Sequence, residues 1–376
     1  MDKVYLDYAA TTPIDSEARK AMEPYFSQEF GNTMSLHSFG QSAKSVLEGC
    51  RKKIAKILNA EQDEIYFTAS ATESNNTVLK GLPGRHIIIS PIEHPCIMET
   101  ANWLEKNGAK VTRLKTDRYG FVNLSEIEET VTEQALVSVI HASNEIGTLQ
   151  DIAKIGEISR SKNALFHTDA SQSFGKIPID VKEMKIDLLT ASSQKIYGPK
   201  GAGLLFVKRG IKLEPLLHGG GQESGLRSST INLPAIVGFA KAAEIAQERM
   251  EADFKKISAL RDKLISGVLK IEGAYLTGHP EERLPNIASF YFDFVEGESL
   301  LLQLDLDGIA VSTGSACSSD KLEPSHVLLA LGLEHEQAHG SLRVSLGRST
   351  TEEEIGYFLD KLEKAVEKFR TLSPIK

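Results

Sequence analysis

Glu64-Ile-Tyr-Phe-Thr68, His86-Ile-Ile-Ile-Ser90, Val111-Thr-Arg-Leu114, Leu136-Val-Ser-Val-Ile140, Leu165-Phe-His167, Asp187-Leu-Leu-Thr190 and Gly203-Leu-Leu-Phe-Val207 are the stretches that decide the fold. Each is a short apolar run of strand length, and most are separated by roughly 15–25 residues of amphipathic sequence, enough for a crossover helix. Near-continuous apolar strands alternating with helices mark an α/β protein whose mainly parallel sheet is covered on both faces. The last two runs lie closer together. Gly198, Pro199, Gly201 and Gly203 around that gap suit a turn into an antiparallel strand.

Beyond this block, Leu233 to Glu272 has a helical period through Ile236, Val237, Phe239, Ala240, Ala243 and Ile245, then Phe254, Ile257, Leu260, Leu264 and Val268. A helix of that length can join two domains. Strand-like runs follow at Tyr275-Leu276, Ile287–Phe292, Ala310-Val311 and Leu342–Leu346. A last helix opens at Thr350 or Thr351, with Glu354 placed for a capping box, and carries the stripe Ile355, Phe358, Leu359, Leu362, Val366, Phe369. The chain thus reads as a large α/β domain followed by a smaller α+β one.

The 376 residues are 41% hydrophobic and 25% charged, with 43 basic against 51 acidic groups and a net charge of −8. This is the composition of a globular protein rather than a disordered or coiled-coil chain. The acidic balance argues against direct nucleic-acid binding, which needs a basic patch. No apolar run reaches the roughly 18–20 residues that span a bilayer, and Met1-Asp-Lys-Val-Tyr-Leu-Asp7 lacks the apolar core of a signal peptide. A cytoplasmic protein is expected. Cys50, Cys96 and Cys317 are scattered and odd in number, so any cysteine that matters acts singly, as a thiol.

In parallel sheets ligands bind beyond the carboxyl ends of strands. Ser70-Ala-Thr-Glu-Ser-Asn75 follows the first run at an expected helix start, either an ordinary N-cap or a phosphate cradle. His94 follows the second run, Asn144 the fourth, Asp169 and Gln172 the fifth, and Ser192, Gln194 and Lys195 the sixth. Singly each has a reading as turn chemistry. Together they are the inventory for a phosphorylated pyridine aldehyde: a lysine for a Schiff base, an aspartate for the pyridinium nitrogen, and an anion cradle.

Tyr5-Leu-Asp-Tyr-Ala-Ala-Thr-Thr-Pro13, Ala71-Thr-Glu-Ser74, Asn144-Glu-Ile-Gly147, Lys195-Ile-Tyr-Gly-Pro-Lys-Gly201, Ser315-Ala-Cys-Ser318 and Leu322-Glu-Pro-Ser325 occur in that order. The whole chain resembles the cysteine desulfurases of the class V aminotransferase group. The resemblance implies the pyridoxal-phosphate transferase fold type I, with a mainly parallel seven-stranded sheet in a large domain over 15–254. A smaller α+β domain would be built from 1–14 plus 255–376. It implies a homodimer that takes sulfur from L-cysteine, leaving L-alanine and a persulfide on Cys317. That sulfur would pass to an iron–sulfur scaffold or another acceptor for cluster assembly or thiolation.

Carried onto this chain, the resemblance makes Lys195 the Schiff-base lysine and proton carrier, Asp169 the partner of the pyridinium N–H, and His94 the ring-face residue and a candidate acid or base. Gln172 and Asn144 would meet the ring oxygen. Ala71, Thr72, Ser192 and Gln194 would surround the phosphate, joined by Thr230 of a second subunit. Arg343 would grip the substrate carboxylate with help from Asn32 and Asn144. Cys317 stands in the small polar run Ser312–Asp320, which reads as an exposed loop able to swing; it is the expected nucleophile, and could also ligate an iron–sulfur cluster shared with a scaffold. No resident metal is expected.

Two departures stand out. Gln194 occupies the position where the family usually has histidine, so weaker phosphate binding is expected, and Gly31-Asn-Thr33 replaces Gly-Asn-Pro. His335-Glu-Gln-Ala-His339 fits the H-E-x-x-H zinc-peptidase pattern. Gly340 and the strand-like Ser341–Leu346 cut its helix short, and a zinc site needs further ligands. A plain aminotransferase would leave Cys317 idle, and a non-catalytic scaffold partner would release no alanine.

Overall fold

The structure, a computed structural model, describes residues 3–314 and 323–372. Its strands are β1 (Val4–Tyr5), β2 (Ile65–Thr68), β3 (His86–Ile89), β4 (Val111–Arg113), β5 (Ala135–Ser138), β6 (Leu165–Asp169), β7 (Leu188–Ser192), β8 (Gly203–Val207), β9 (Ala274–Thr277), β10 (Ile287–Phe292), β11 (Ile309–Ala310) and β12 (Ser341–Ser345). The seven apolar runs become β2 to β8 and join in one sheet of order β2-β8-β7-β6-β5-β3-β4.

The pairs β3–β4, β3–β5, β5–β6 and β6–β7 are parallel. β8 is antiparallel to both β7 and β2, as the short Gly-rich connection predicts, so β2 runs the same way as β7. The carboxyl ends of β2, β3, β5, β6 and β7 therefore open on one edge. Ile87, Ile88, Ile89, Leu136, Val137, Leu188 and Leu189 are all buried, because residues of both strand faces lie under covering layers.

Helices Pro95–Lys106, Leu124–Thr130 and Ile152–Ser161 fill three of the crossovers. The β6–β7 connection differs: 170–187 is a chain of turns. Gly175 there adopts φ +71 and Pro178 cannot donate an N–H to a helix, so its length alone does not make one.

The helix Leu233–Val268 has 36 residues, about 54 Å at 1.5 Å per residue. Its first part, from Leu233 to Ala246, packs in the core of the large sheet. Ile257, Leu260, Leu264 and Val268 pack instead in a second core with Val4, Leu6, Phe290, Val344 and Phe358. That second core lies on the antiparallel sheet β12-β10-β9, with β1–β11 beside it.

The last helix, Glu352–Leu372, starts as expected. Thr351 Oγ1 accepts from Glu354 N at 3.2 Å, and Thr351 N donates to the Glu354 carboxylate at 2.9 Å, a reciprocal cap. Ile355, Phe358, Leu362 and Val366 of its stripe are buried. Among the described residues no helix is long and apolar enough to cross a membrane.

Candidate active site

A cleft of about 420 Å³ opens at the shared strand edge, within the roughly 300–1,000 Å³ of small-molecule sites. It brings together Ala71, Thr72, His94, Asn144, Asp169, Gln172, Ser192, Gln194, Lys195 and Arg343. Nine of these leave the ends of β2, β3, β5, β6 and β7; Arg343 arrives from β12 of the second sheet.

Helix Ala71–Lys80 starts at the cleft, with Ser70 Oγ as N-cap accepting from Glu73 N at 3.2 Å. The cap and the anion cradle coexist, because an N-cap satisfies one of several exposed N–H groups of a first turn. His94 caps helix Pro95–Lys106, its Nδ1 accepting from Cys96 N at 3.1 Å. Burial holds its imidazole below the usual histidine range; Asp169 opposes this and Lys195 and His326 reinforce it.

Asp169 ends β6, nearly buried at 4% exposure. Its Oδ2 accepts from Asn75 Nδ2 at 2.7 Å and its Oδ1 from Ser171 N at 2.8 Å, which orients the carboxylate. Asn75 also donates to Cys96 Sγ at 3.2 Å, and burial pushes that thiol up to about 12. Cys96 is therefore a neutral thiol at the cleft wall, unlike a reactive cysteine.

Lys195 ends the single 3-10 turn Ser193–Lys195 after β7. Its Nζ donates to the carbonyls of Ala9 and Ala10, each at 2.6 Å. Gln172 Nε2 donates to the same Ala9 carbonyl at 2.9 Å, and its Oε1 accepts from Lys176 Nζ at 3.1 Å. Burial pushes the Lys176 ammonium down to about 7, aided by Lys195. Gln194 Oε1 accepts from Ser192 Oγ at 2.6 Å.

Arg343 is 5% exposed. Its guanidinium pairs with Asp7 at 2.9 Å and donates to the Asn144 carbonyl at 2.9 Å. Asp7, Ala9, Ala10 and Asn75 had no role in the sequence reading, although Asp7, Ala9 and Ala10 belong to the quoted motif Tyr5–Pro13. Their part comes from contacts across the chain.

The cleft does not include two expected residues. Asn32 is exposed, its Oδ1 accepting from Met34 N at 3.0 Å; Thr230 is exposed on the loop before helix Leu233–Val268. Cys317, expected nucleophile and possible cluster ligand, lies outside the described residues. His335 and His339 are the ends of a five-residue helix, both exposed, and Gly340 leads directly into β12.

The residues fit pyridoxal phosphate. Ser171 Oγ and Arg343 Nε are buried here with no hydrogen-bond partner among the described residues, and buried polar groups call for one. A lysine amine, an oriented buried carboxylate and a helix N-terminus share the cleft, the donor set for an aldehyde, a pyridinium N–H and a phosphate.

The family described as Aminotransferase class-V matches residues 4–358. "Cysteine desulfurase IscS 1" of Archaeoglobus fulgidus is 48% identical over 99% of both chains. A solved "NifS-like protein" is 39% identical with a TM-score of 0.91, covering 97% of this chain and 100% of that one. A structure described as "SspA in complex with cysteine" is 35% identical with a TM-score of 0.81, covering 92% and 99%. With its fold, its cleft and matches that run the length of both chains, this protein belongs to the class-V aminotransferase family and, within it, to the cysteine desulfurases.

Proposed function

We propose that the protein removes sulfur from L-cysteine, using pyridoxal phosphate held in this cleft, and keeps the sulfur as a persulfide on Cys317 for an acceptor protein. The observation that carries the reading is one cleft holding Lys195, the oriented Asp169 carboxylate and Arg343. The relative with bound cysteine supports the substrate.

When bound, pyridoxal phosphate supplies an electron sink for the substrate carbons. Lys195 would hold the aldehyde carbon through Nζ and move protons at the substrate α-carbon. Asp169 keeps a proton on the ring nitrogen, and Asn75 and Ser171 N keep its carboxylate aimed. His94, its imidazole held below the usual histidine range by burial, would lie against the ring. Gln172 and Asn144 would meet the ring oxygen, and Ala71, Thr72, Ser192 and Gln194 would receive the phosphate. Arg343, fixed by Asp7, would take the substrate carboxylate.

Cys317 Sγ, as thiolate, then attacks the substrate sulfur. An S–S bond forms as the Cβ–S bond breaks, the electron pair stays with Cβ, and Cβ takes a proton. The balance is L-cysteine plus a thiol giving L-alanine plus a persulfide.

A second copy of the chain completes the site in this reading, its Thr230 joining the phosphate contacts. Phe26, Phe30, Met34, Leu36 and Phe39 are 55–91% exposed, with the Phe30 and Phe39 rings 5.8 Å apart; an apolar patch of this kind favours burial against a partner. The two separate cores along helix Leu233–Val268 support a division into 15–254 and 1–14 plus 255–376. We place the enzyme in the cytoplasm, with an iron–sulfur scaffold or thiolation protein as acceptor.

The test is Cys317→Ser. The purified holoenzyme should keep its cofactor absorbance yet form no alanine from L-cysteine; undiminished alanine would overturn the nucleophile. Alanine formed by the unaltered protein without added keto acid separates this reaction from transamination.

A further inference from the structure

Lys195 reaches the cleft from a tight turn whose ending is unusual. Tyr197, two positions later, has φ +67, the left-handed region in which a Cβ crowds the following carbonyl. Gly198 N donates to the Ser193 carbonyl at 3.1 Å, the six-to-one bond that ends a helix through one left-handed residue. Glycine ordinarily fills that place, sometimes asparagine. The second bond of the motif would join Tyr197 N to the Gln194 carbonyl. Thr12 stands between them instead: its Oγ1 accepts from Tyr197 N at 2.8 Å and donates to the Gln194 carbonyl at 3.0 Å. Asp15 N donates to the Tyr197 carbonyl at 2.8 Å.

A tyrosine in a glycine place calls for a reason in its side chain. The Arg348 guanidinium lies over the Tyr197 ring, 4.2 Å from its centroid, and the Tyr197 hydroxyl oxygen accepts from Arg348 N at 2.7 Å. Arg348 follows β12 of the second sheet. It is held in turn by Asp253 of the long helix at 2.6 Å and by Asp15 at 3.6 Å. Burial pushes the Tyr197 phenol up to about 12, so the ring offers a neutral face to the cation. The segment that supplies Thr12 and Asp15 also offers the Ala9 and Ala10 carbonyls to Lys195 Nζ. Neither Tyr197 nor Arg348 is among the residues that line the cleft. What they hold is the turn from which the lysine enters it.

We propose that Tyr197 is a positioning residue for Lys195: a tyrosine fills the left-handed place so that Arg348, from the second sheet, can fasten the turn that carries the lysine. The proposal rests on the function argued above. Glycine and asparagine accept the same backbone, so either replacement removes the side-chain hold and leaves the turn allowed. If the released turn presents the lysine correctly about one time in ten, the apparent affinity for pyridoxal phosphate falls about tenfold.

The test titrates apoenzyme with pyridoxal phosphate and reads the dissociation constant by absorbance. Tyr197→Gly is measured alone and in a Lys195→Ala background, where the cofactor has no lysine to meet. Tyr197→Phe keeps the ring under Arg348 and loses only the hydroxyl. Arg348→Gln takes the guanidinium off the ring without touching the turn.

Tyr197→Gly and Arg348→Gln should each weaken the cofactor about tenfold, and Tyr197→Phe should weaken it less. In the Lys195→Ala background Tyr197→Gly should change affinity by no more than about twofold, because its effect passes through the lysine. Unchanged affinity in Tyr197→Gly, or the same loss in both backgrounds, overturns the proposal; the second result would mark a merely structural role. Should Tyr197→Gly fail to fold, Tyr197→Asn carries the same pair of measurements, and unchanged affinity in Arg348→Gln is equally decisive against the proposal. No binding of pyridoxal phosphate by the unaltered apoenzyme would instead defeat the functional reading itself.

Discussion

Replacing Glu93 by glutamine should abolish a measurable part of the pH dependence of stability. Glu93 is fully buried beside the cleft. Its Oε1 accepts from Ser90 Oγ and from Ile140 N at 2.7 Å, while Oε2 has no partner among the described residues. Burial pushes the carboxyl from the ordinary 4.5 up to about 8, with the Asp169 charge adding to the rise. The folded protein therefore holds a proton that the unfolded chain releases. Stability from this group is fully present below about pH 4.5, falls as pH rises, and is lost above about 8. At 1.36 kcal/mol per pH unit the whole effect is about 5 kcal/mol, of which about 4 kcal/mol falls between pH 5 and pH 8.

Glutamine keeps the Oε1 acceptor and cannot titrate; the buried amide carries a cost of about 1–3 kcal/mol that does not vary with pH. With an unfolding entropy of about 2.1 cal/mol/K per residue, 4 kcal/mol corresponds to about 5 °C in Tm for a chain of this length. His141 and His167, pushed down to about 4 by burial, lose their stabilising share as pH falls below 6.5, but they do so in both proteins. The quantity to measure is thus the difference in Tm between Glu93→Gln and the unaltered holoenzyme. It should rise by about 5 °C from pH 5 to pH 8 in calorimetry. A difference that stays flat across that range would refute the buried-acid reasoning.

Gln194→His should tighten pyridoxal phosphate about fivefold, since a charge-assisted bond to phosphate is roughly twice as strong as a neutral one; titration of apoenzyme would read it, and equal or weaker binding would count against a phosphate role for position 194. Arg343→Lys should raise KM for L-cysteine about tenfold with a smaller change in kcat, because an ammonium cannot reproduce the planar fork that also holds Asp7. An unchanged KM would remove Arg343 from substrate binding.

Much of this molecule could be read locally. The seven apolar runs have strand length, their spacing separates crossover from tight turn, and the cap Thr351–Glu354 lies within one helical turn; each feature depends on neighbours along the chain, where propensity and steric rules act. Their places after the apolar runs made the cleft residues from Ala71 to Lys195 legible, since residues after parallel strands share an edge by construction. The turns over 170–187 escaped that reading, because connection length permits a helix that Gly175 and Pro178 prevent.

Other features were decided only by folding. Asp7 reaches Arg343 across 336 positions, Asn75 reaches Asp169 across 94, and Glu145 reaches Ser325 across 180. No local pattern encodes such pairs. A buried charge finds its partner through the packing of two cores along one long helix, and that packing is a property of the whole chain at once.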